Sequence, residues 1–288
     1  MTGENNAVIG FPSWRGKCTF SLGSWETDYP VSNLSTLPLN YVARSTDLDA
    51  ASTQWKATFD KARGIRLLGL IRHNLTLDAT FRLKLYADSA LSTLLFDSGW
   101  VDVWLDVYKT QERTWADSNF WGGKYTQEEI DDAEAIRPIF LDQQYIAEAF
   151  TVEILDPTNP DGFIQVGLME VAQGWQVQTN FGYGAEYGFE NRTTVEEAEG
   201  GVEYFDIKDS PTVFNGTIKS MNRDEALSKA FEHQRQMGIH TPFLWMPHPN
   251  EPLHWLRNTA LVRNKDLGLM GYASHNRDAV PLQFKRIL

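Results

Sequence analysis

The clearest signal in the chain is an alternation that stops at a turn and then resumes. Phe150, Val152 and Ile154 alternate with Thr151 and Glu153. A period of two sets the apolar side chains on one face of a strand. Asp156-Pro157-Thr158-Asn159-Pro160-Asp161-Gly162 follows. Two prolines lack amide donors and Gly162 accepts positive φ, so the ladder ends there. Residues 163–171 are apolar on both faces, the pattern of a strand covered on both sides. Together the three pieces predict a hairpin that closes a β-sandwich or jelly roll and ends one domain.

Similar patterns lie upstream. Trp55, Ala57 and Phe59 alternate, predicting a strand over 54–59, and Lys61-Ala62-Arg63-Gly64 reads as a turn. Residues 65–71 suit a central strand, with Gly69 marking a bulge or close packing. Phe81, Leu83 and Leu85 alternate with Arg82, Lys84 and Tyr86, a half-exposed strand. Residues 94–104 are strand-like around Gly99. Phe150, Val152, Ile154, Leu67, Ile71, Leu83 and Leu85 are expected in one core. Residues 106–138 break the rhythm. Thr126 and Glu129 match a capping box, predicting a helix over 127–136 that stops before Pro138. The rest of that long excursion is expected to be functional.

The second half reads as strands, one helix, then strands. Strands are expected at 202–207 and 213–220, and near 241–245, 254–262, 267–273 and 282–287. A helix over 223–237 has Asn222 as cap, Glu225 at the capping-box position and Gly238 as its stop. Leu227, Ala230, Phe231, Gln234 and Met237 are spaced for one face. Glu196, Glu197, Glu199, Gly200 and Gly201 predict an exposed acidic loop. The expected fold is all-β: an N-terminal arm over 1–24, a jelly roll over 25–173 with an insertion near 106–138, and a smaller β-rich domain over 174–288. The arm packs on its own domain or reaches a neighbouring subunit.

Composition narrows the function. The 288 residues carry a net charge of −12, which argues against wrapping a phosphate backbone. No apolar run approaches bilayer-spanning length. The opening MTGENNAVIGFPSW has no basic region before an apolar core, so no secretory signal is expected. Cys18 is the single cysteine, which rules out an intrachain disulfide or a thiolate cluster and suits folding in a reducing cytoplasm. Ten tryptophans are expected in the core or at a subunit interface.

Several short segments carry a resemblance. Tyr29-Pro30-Val31-Ser32-Asn33-Leu34, Val42-Ala43-Arg44-Ser45-Thr46, 54–59, 65–74, Tyr86-Ala87-Asp88-Ser89 and 159–167 occur in the order of a galactose-binding-like, discoidin-type jelly roll. The whole chain resembles tailed-phage minor tail or baseplate proteins that carry such a domain before a tail-tube-like half. The resemblance implies a non-enzymatic structural component of a virion tail tip, made in the host cytoplasm. It would assemble with copies of itself and other tail proteins, with a host-surface glycan as a further partner. A carbohydrate-binding module for attachment is the alternative and a glycoside hydrolase the second alternative.

Candidate chemistry is sparse. His248, Glu251 and His254 are evenly spaced, but Pro247, Pro249 and Pro252 forbid the helix a zinc HExxH site needs, so turns are expected. Asp156, Asn159 and Asp161 offer oxygens, but an EF-hand ending its tight turn on Gly162 would start at Pro157 and finish at Leu168, which both fail as ligands, so a turn is expected, with a structural calcium as the alternative that the resemblance implies. No GxSxG, P-loop or GxGxxG occurs, so no cofactor, metal or catalytic residue is expected. Trp115, Phe120 and Trp121 on the excursion, with Tyr183 and Tyr187 among the glycines of 181–188, are the candidate interface or glycan contacts.

Overall fold

The computed structural model describes residues 5–108, 123–131 and 133–287. Among these, Gly10–Trp175 and Met246–Thr259 form one compact unit. The residues up to Ile9, Gln176–Trp245 and the residues from Ala260 onward form the other. The units therefore interleave in sequence and do not follow one another as 25–173 and 174–288. The stretch expected as an arm is divided between them. Val8–Ile9 is a strand in the second unit's sheet, and Cys18–Ser21 pairs with residues 56–59 in the first.

The first unit is a β-sandwich of the jelly-roll type, built on two 20-residue strands, Gln54–His73 and Ile136–Leu155. They pair antiparallel along most of their length, with register shifts between Thr58 and Arg63 and between Ile65 and Leu67. Phe81 pairs with Ile154, while the Arg137 guanidinium lies 5.4 Å from the Phe81 ring. Residues 137 and 154 of a straight strand would be roughly 56 Å apart at ~3.3 Å per residue. The ribbon must therefore fold over, so that its two halves serve opposite layers of the sandwich. The corner lies where Asp60–Ala62 and Asp142–Gln144 are exposed. Residues 61–64 are polar because they sit at that corner, and the expected turn there is absent.

The expected hairpin also differs. Gln165–Ala172 pairs with residues 67–73 and with Ala43–Arg44, and does not pair with Ile136–Leu155. The 156–164 segment carries the chain past the Gln54–His73 strand, not around a tight turn. This central position explains why residues 166–172 are all buried. Phe150, Val152, Ile154, Leu83 and Leu85 share one core with Trp55, Phe81, Leu68 and Leu70. Leu67 and Ile71 are fully buried, but strand alternation points them to the other face. Gly10–Lys17 is tied down by Trp14 N–H donating to Val171 O (2.7 Å) and by Arg15 and Ser13 on the buried Glu170 carboxylate.

Residues 94–97 and 101–102 are short strands. The capping box forms: Thr126 N–H donates to Glu129 Oε2 (3.0 Å) and Glu129 N–H to Thr126 Oγ1 (3.3 Å). The helix it starts is only Gln127–Asp131, and strand begins at Ile136. Pro138 sits inside that strand, opposite Gly69, in a section that pairs on one side only, where a missing amide donor costs nothing.

The second unit is a sheet in the order 175–176, 8–9, 243–246, 260–266, 277–286, 212–222, 186–189. Phe181, Phe214, Trp245 and Phe284 pack ring on ring over it. One helix runs from Arg223 to Met237 with a π-helical stretch at Ala226–Phe231. Asn222 caps it by accepting from Asp224 N–H (3.0 Å), and Gly238 stops it at φ +52. Glu225 does not close a capping box; it is buried and accepts from Gln178 N–H (3.0 Å). The wide π turn rotates the helix. Ala226, Ala230, His233 and Met237 are buried, while Leu227 and Phe231 of the expected face are exposed. The strand expected at 254–262 starts only at Ala260, because Pro252 opens a helical turn that continues to Asn258. Thr194–Glu197 and Glu203–Asp206 form a two-stranded hairpin exposed at every position, with the acidic loop at its tip.

Candidate binding cleft

The sequence candidates do not converge. Trp115, Phe120 and Trp121 lie outside the described residues. Tyr183 is fully exposed and Tyr187 is 82% exposed, on and just before a strand, Glu186–Phe189, that pairs with residues 212–215. His248, Glu251 and His254 sit in successive turns, with Glu251 N–H donating to His248 O (3.3 Å) and His254 N–H to Glu251 O (3.0 Å). Asp156 is buried and spends its oxygens on Thr76 N–H (2.9 Å), the Thr76 hydroxyl (2.6 Å) and the Asn159 amide (2.9 Å). Asp161 accepts from the Asn74 amide (2.8 Å). These bonds tie the 156–164 segment to the 74–76 loop. Among the described residues, no three His, Cys, Asp or Glu side chains gather around a common point.

A different group of residues makes a cleft in the jelly-roll unit. Its walls are Val103, Trp104, Tyr125, Arg137, Trp255 and Leu256, together with neighbouring Leu105, Val107, Ile136, Pro138 and Pro252. Each aromatic is positioned by its own polar atom. Trp104 Nε1 donates to Leu75 O (3.1 Å), and Trp255 Nε1 donates to His248 O (3.2 Å). The Tyr125 hydroxyl donates to the carbonyls of Pro252 (3.1 Å) and Leu253 (2.9 Å). Burial pushes that phenol up to about 12. The capping box at Thr126 fixes the backbone after Tyr125, and Pro252 starts the turn that presents Trp255. Trp104 and Tyr125 are buried, whereas Trp255 is half-buried and faces water in part. The cleft is open to solvent on one side; its space is about 20 Å³, within a hollow of about 270 Å³ when the open region in front is included.

Arg137 is the charged side chain of this wall. It is 8% exposed. Nη1 donates to Pro138 O (3.0 Å), and Nε meets no acceptor. The guanidinium carbon is 5.4 Å from the rings of both Phe81 and Trp255. Ring faces attract a cation, yet burial still lowers the guanidinium pKa to about 10, with Asp102 opposing that shift. Asp102 itself pairs with Lys124 at 3.1 Å. Beside the cleft, His73 packs on Trp104 at 5.4 Å and Nδ1 accepts from Leu75 N–H (3.4 Å). Nε2 meets no acceptor. Burial, with Arg137 adding repulsion, lowers the imidazole to about 3, so it is neutral.

No protein-family model matches this chain, and no curated protein does. Solved structures similar to it include a family 32 carbohydrate-binding module of Clostridium perfringens NanJ in complex with galactose. That match has 12% identity and a TM-score of 0.37, covering 57% of this chain and 98% of the module. The lectin-binding domain of lectinolysin complexed with Lewis b matches at 14% identity and a TM-score of 0.35, covering 55% of this chain and 93% of that domain. A fucose-binding module of Streptococcus pneumoniae matches at 12% identity and a TM-score of 0.32, covering 60% of this chain and 99% of the module.

Proposed function

We propose that this chain is a non-catalytic glycan-binding protein and that the jelly-roll cleft is part of its binding surface. The observation that carries the reading is the combination of a partly exposed Trp255 ring with a buried guanidinium 5.4 Å from it. Aromatic walls with a few fixed polar groups are the usual composition of a small-ligand site. A sugar presents an apolar ring face to stack and hydroxyls to hydrogen-bond, which suits that pairing. The test is a glycan array on the whole chain, followed by calorimetry with any ligand found. Trp255→Ala should weaken binding at least tenfold under conditions where circular dichroism shows the variant folded. An empty array, or unchanged affinity in that variant, would reject the reading.

A second reading is a homo-oligomeric structural component of a phage tail tip or baseplate. It is supported by the apolar surface of the second unit. Tyr183, Tyr187, Phe189, Tyr204, Phe205 and Ile207 are each more than half exposed, and an isolated two-stranded hairpin is marginal in water. Light scattering at micromolar concentration tests it: a monomer would remove this reading and leave the first.

A further inference from the structure

The Arg137 cleft holds a cation that forms no ion pair among the described residues. The other described residues lining it are uncharged. The indole and phenol donors around it are already satisfied by backbone carbonyls. Arg137 spends Nη1 on Pro138 O, and no other acceptor among the described residues meets its guanidinium. For a guanidinium the best acceptor is an anion. Buried polar groups without partners are rare enough to need a cause.

The size of the space limits the anion. A volume of about 20 Å³ holds one or two water-sized groups. A sugar ring cannot enter, but a small planar substituent can, with the ring left outside near Trp255. We propose that Arg137 receives the carboxylate of an acidic sugar, so that the glycan bound here is distinguished by a uronic-acid type residue. The proposal rests on the glycan-binding reading above and specifies its substrate class. The planar guanidinium suits a carboxylate through two parallel hydrogen bonds, which a lysine cannot reproduce.

Three oligosaccharides test it on the full chain by calorimetry: one ending in a hexuronic acid, its twin with a hydroxymethyl group in place of the carboxylate, and a counterpart ending in a sulfated sugar. The acid should bind at least tenfold tighter than the neutral twin and tighter than the sulfated one. In Arg137→Met the preference for the acid over the neutral twin should vanish, with the affinity for both reduced. In Arg137→Lys most of the preference should also be lost. Should either variant fold poorly, the parent protein supplies the second readout: the Arg137 Nε–Hε signal should shift on adding the acid and not on adding the neutral twin. Equal affinity for acid and neutral twins overturns the proposal and leaves the glycan reading standing. Binding of the sulfated sugar as tight as the acid overturns the assignment to a carboxylate. Binding of none of the three rejects the glycan reading, and the proposal falls with it.

Discussion

Replacing Arg15 by leucine should widen the pH window over which the jelly-roll unit loses stability. Glu170 is fully buried, and its carboxylate is held by Arg15 Nη1 at 2.6 Å and by the Ser13 hydroxyl. Burial raises the carboxyl above its ordinary value of 4.5, and Arg15 is the largest influence opposing it. Arg15→Leu removes that opposition and leaves a carboxylate with one hydroxyl for company. Breaking a buried pair from one side costs about 3–5 kcal/mol. Titration gives the sign. Without Arg15 the burial of the Glu170 carboxyl is opposed by Ser13 alone, so its folded-state pKa rises further above 4.5. Between 4.5 and the folded value the folded state keeps a proton that the unfolded state has released. Stability is then full below pH 4.5 and falls by ~1.4 kcal/mol per pH unit as pH rises to the folded pKa.

The assay is the urea midpoint at pH 5, 6, 7 and 8, with amide exchange of residues 167–172 at pH 7 to assign the loss to this unit. The parent should show the same sign of dependence over a narrower window, because Arg15 holds the carboxyl lower. Arg15→Leu combined with Glu170→Leu should recover most of the stability, since an apolar pair of similar volume replaces the charges. A midpoint for Arg15→Leu that changes with pH no more than the parent's would refute the reasoning.

Two further outcomes follow from buried groups and tight backbone. His73 and His233 are lowered to about 3 and about 4 by burial. Their neutral forms therefore contribute stability that is present above pH 6.5 and is lost as pH falls toward those values, by ~1.4 kcal/mol per unit for each ring. Imidazole NMR signals of the two should not titrate above pH 5, and signals that moved with a midpoint near 6.5 would contradict their burial. Gly23 has φ +77, and a Cβ there would lie 2.1 Å from Gln54 O and 2.7 Å from Ser52 O, both backbone atoms. Gly99 has φ +63 and nothing within 4 Å, so Gly99→Ala should cost about 1–2 kcal/mol from conformation alone. Gly23→Ala should cost clearly more by thermal melting, and equal losses would show that the turn at Gly23 yields freely.

Much of the fold was legible because burial leaves a period in the sequence. The 80–86 strand alternates in the structure as its residues alternate on paper, and Asn222 and Gly238 bound the helix as capping chemistry requires. What failed were inferences from polar breaks. Lys61–Gly64 looked like a turn because a corner in a folded ribbon is solvated just as a turn is. The 156–164 segment looked like a hairpin because the sequence shows that a strand stops and another starts, not which strand lies between them. The helical face shifted because a π turn adds a residue per turn, and no side chain in Ala226–Phe231 announces it.

The cleft was hidden by the same ambiguity. Ile136-Arg137-Pro138 read as the end of a capped helix, and an arginine there would be assigned to water. The structure makes it an inward position of a strand, and Trp255, 118 residues away, completes its surroundings only through the fold. This location carries its own energetic signature. Taking a guanidinium out of water costs several kcal/mol after relaxation, while a ring face returns ~0.5–2 kcal/mol. Two rings and one carbonyl do not close that gap, so Arg137 should weaken the fold it sits in. Arg137→Met keeps the stem and removes the charge. Its urea midpoint should equal or exceed the parent's, although binding at the cleft is impaired. A loss of more than about 3 kcal/mol, the size expected for breaking a buried pair, would mean that Arg137 already has its anion inside the protein and that the cleft is part of the core.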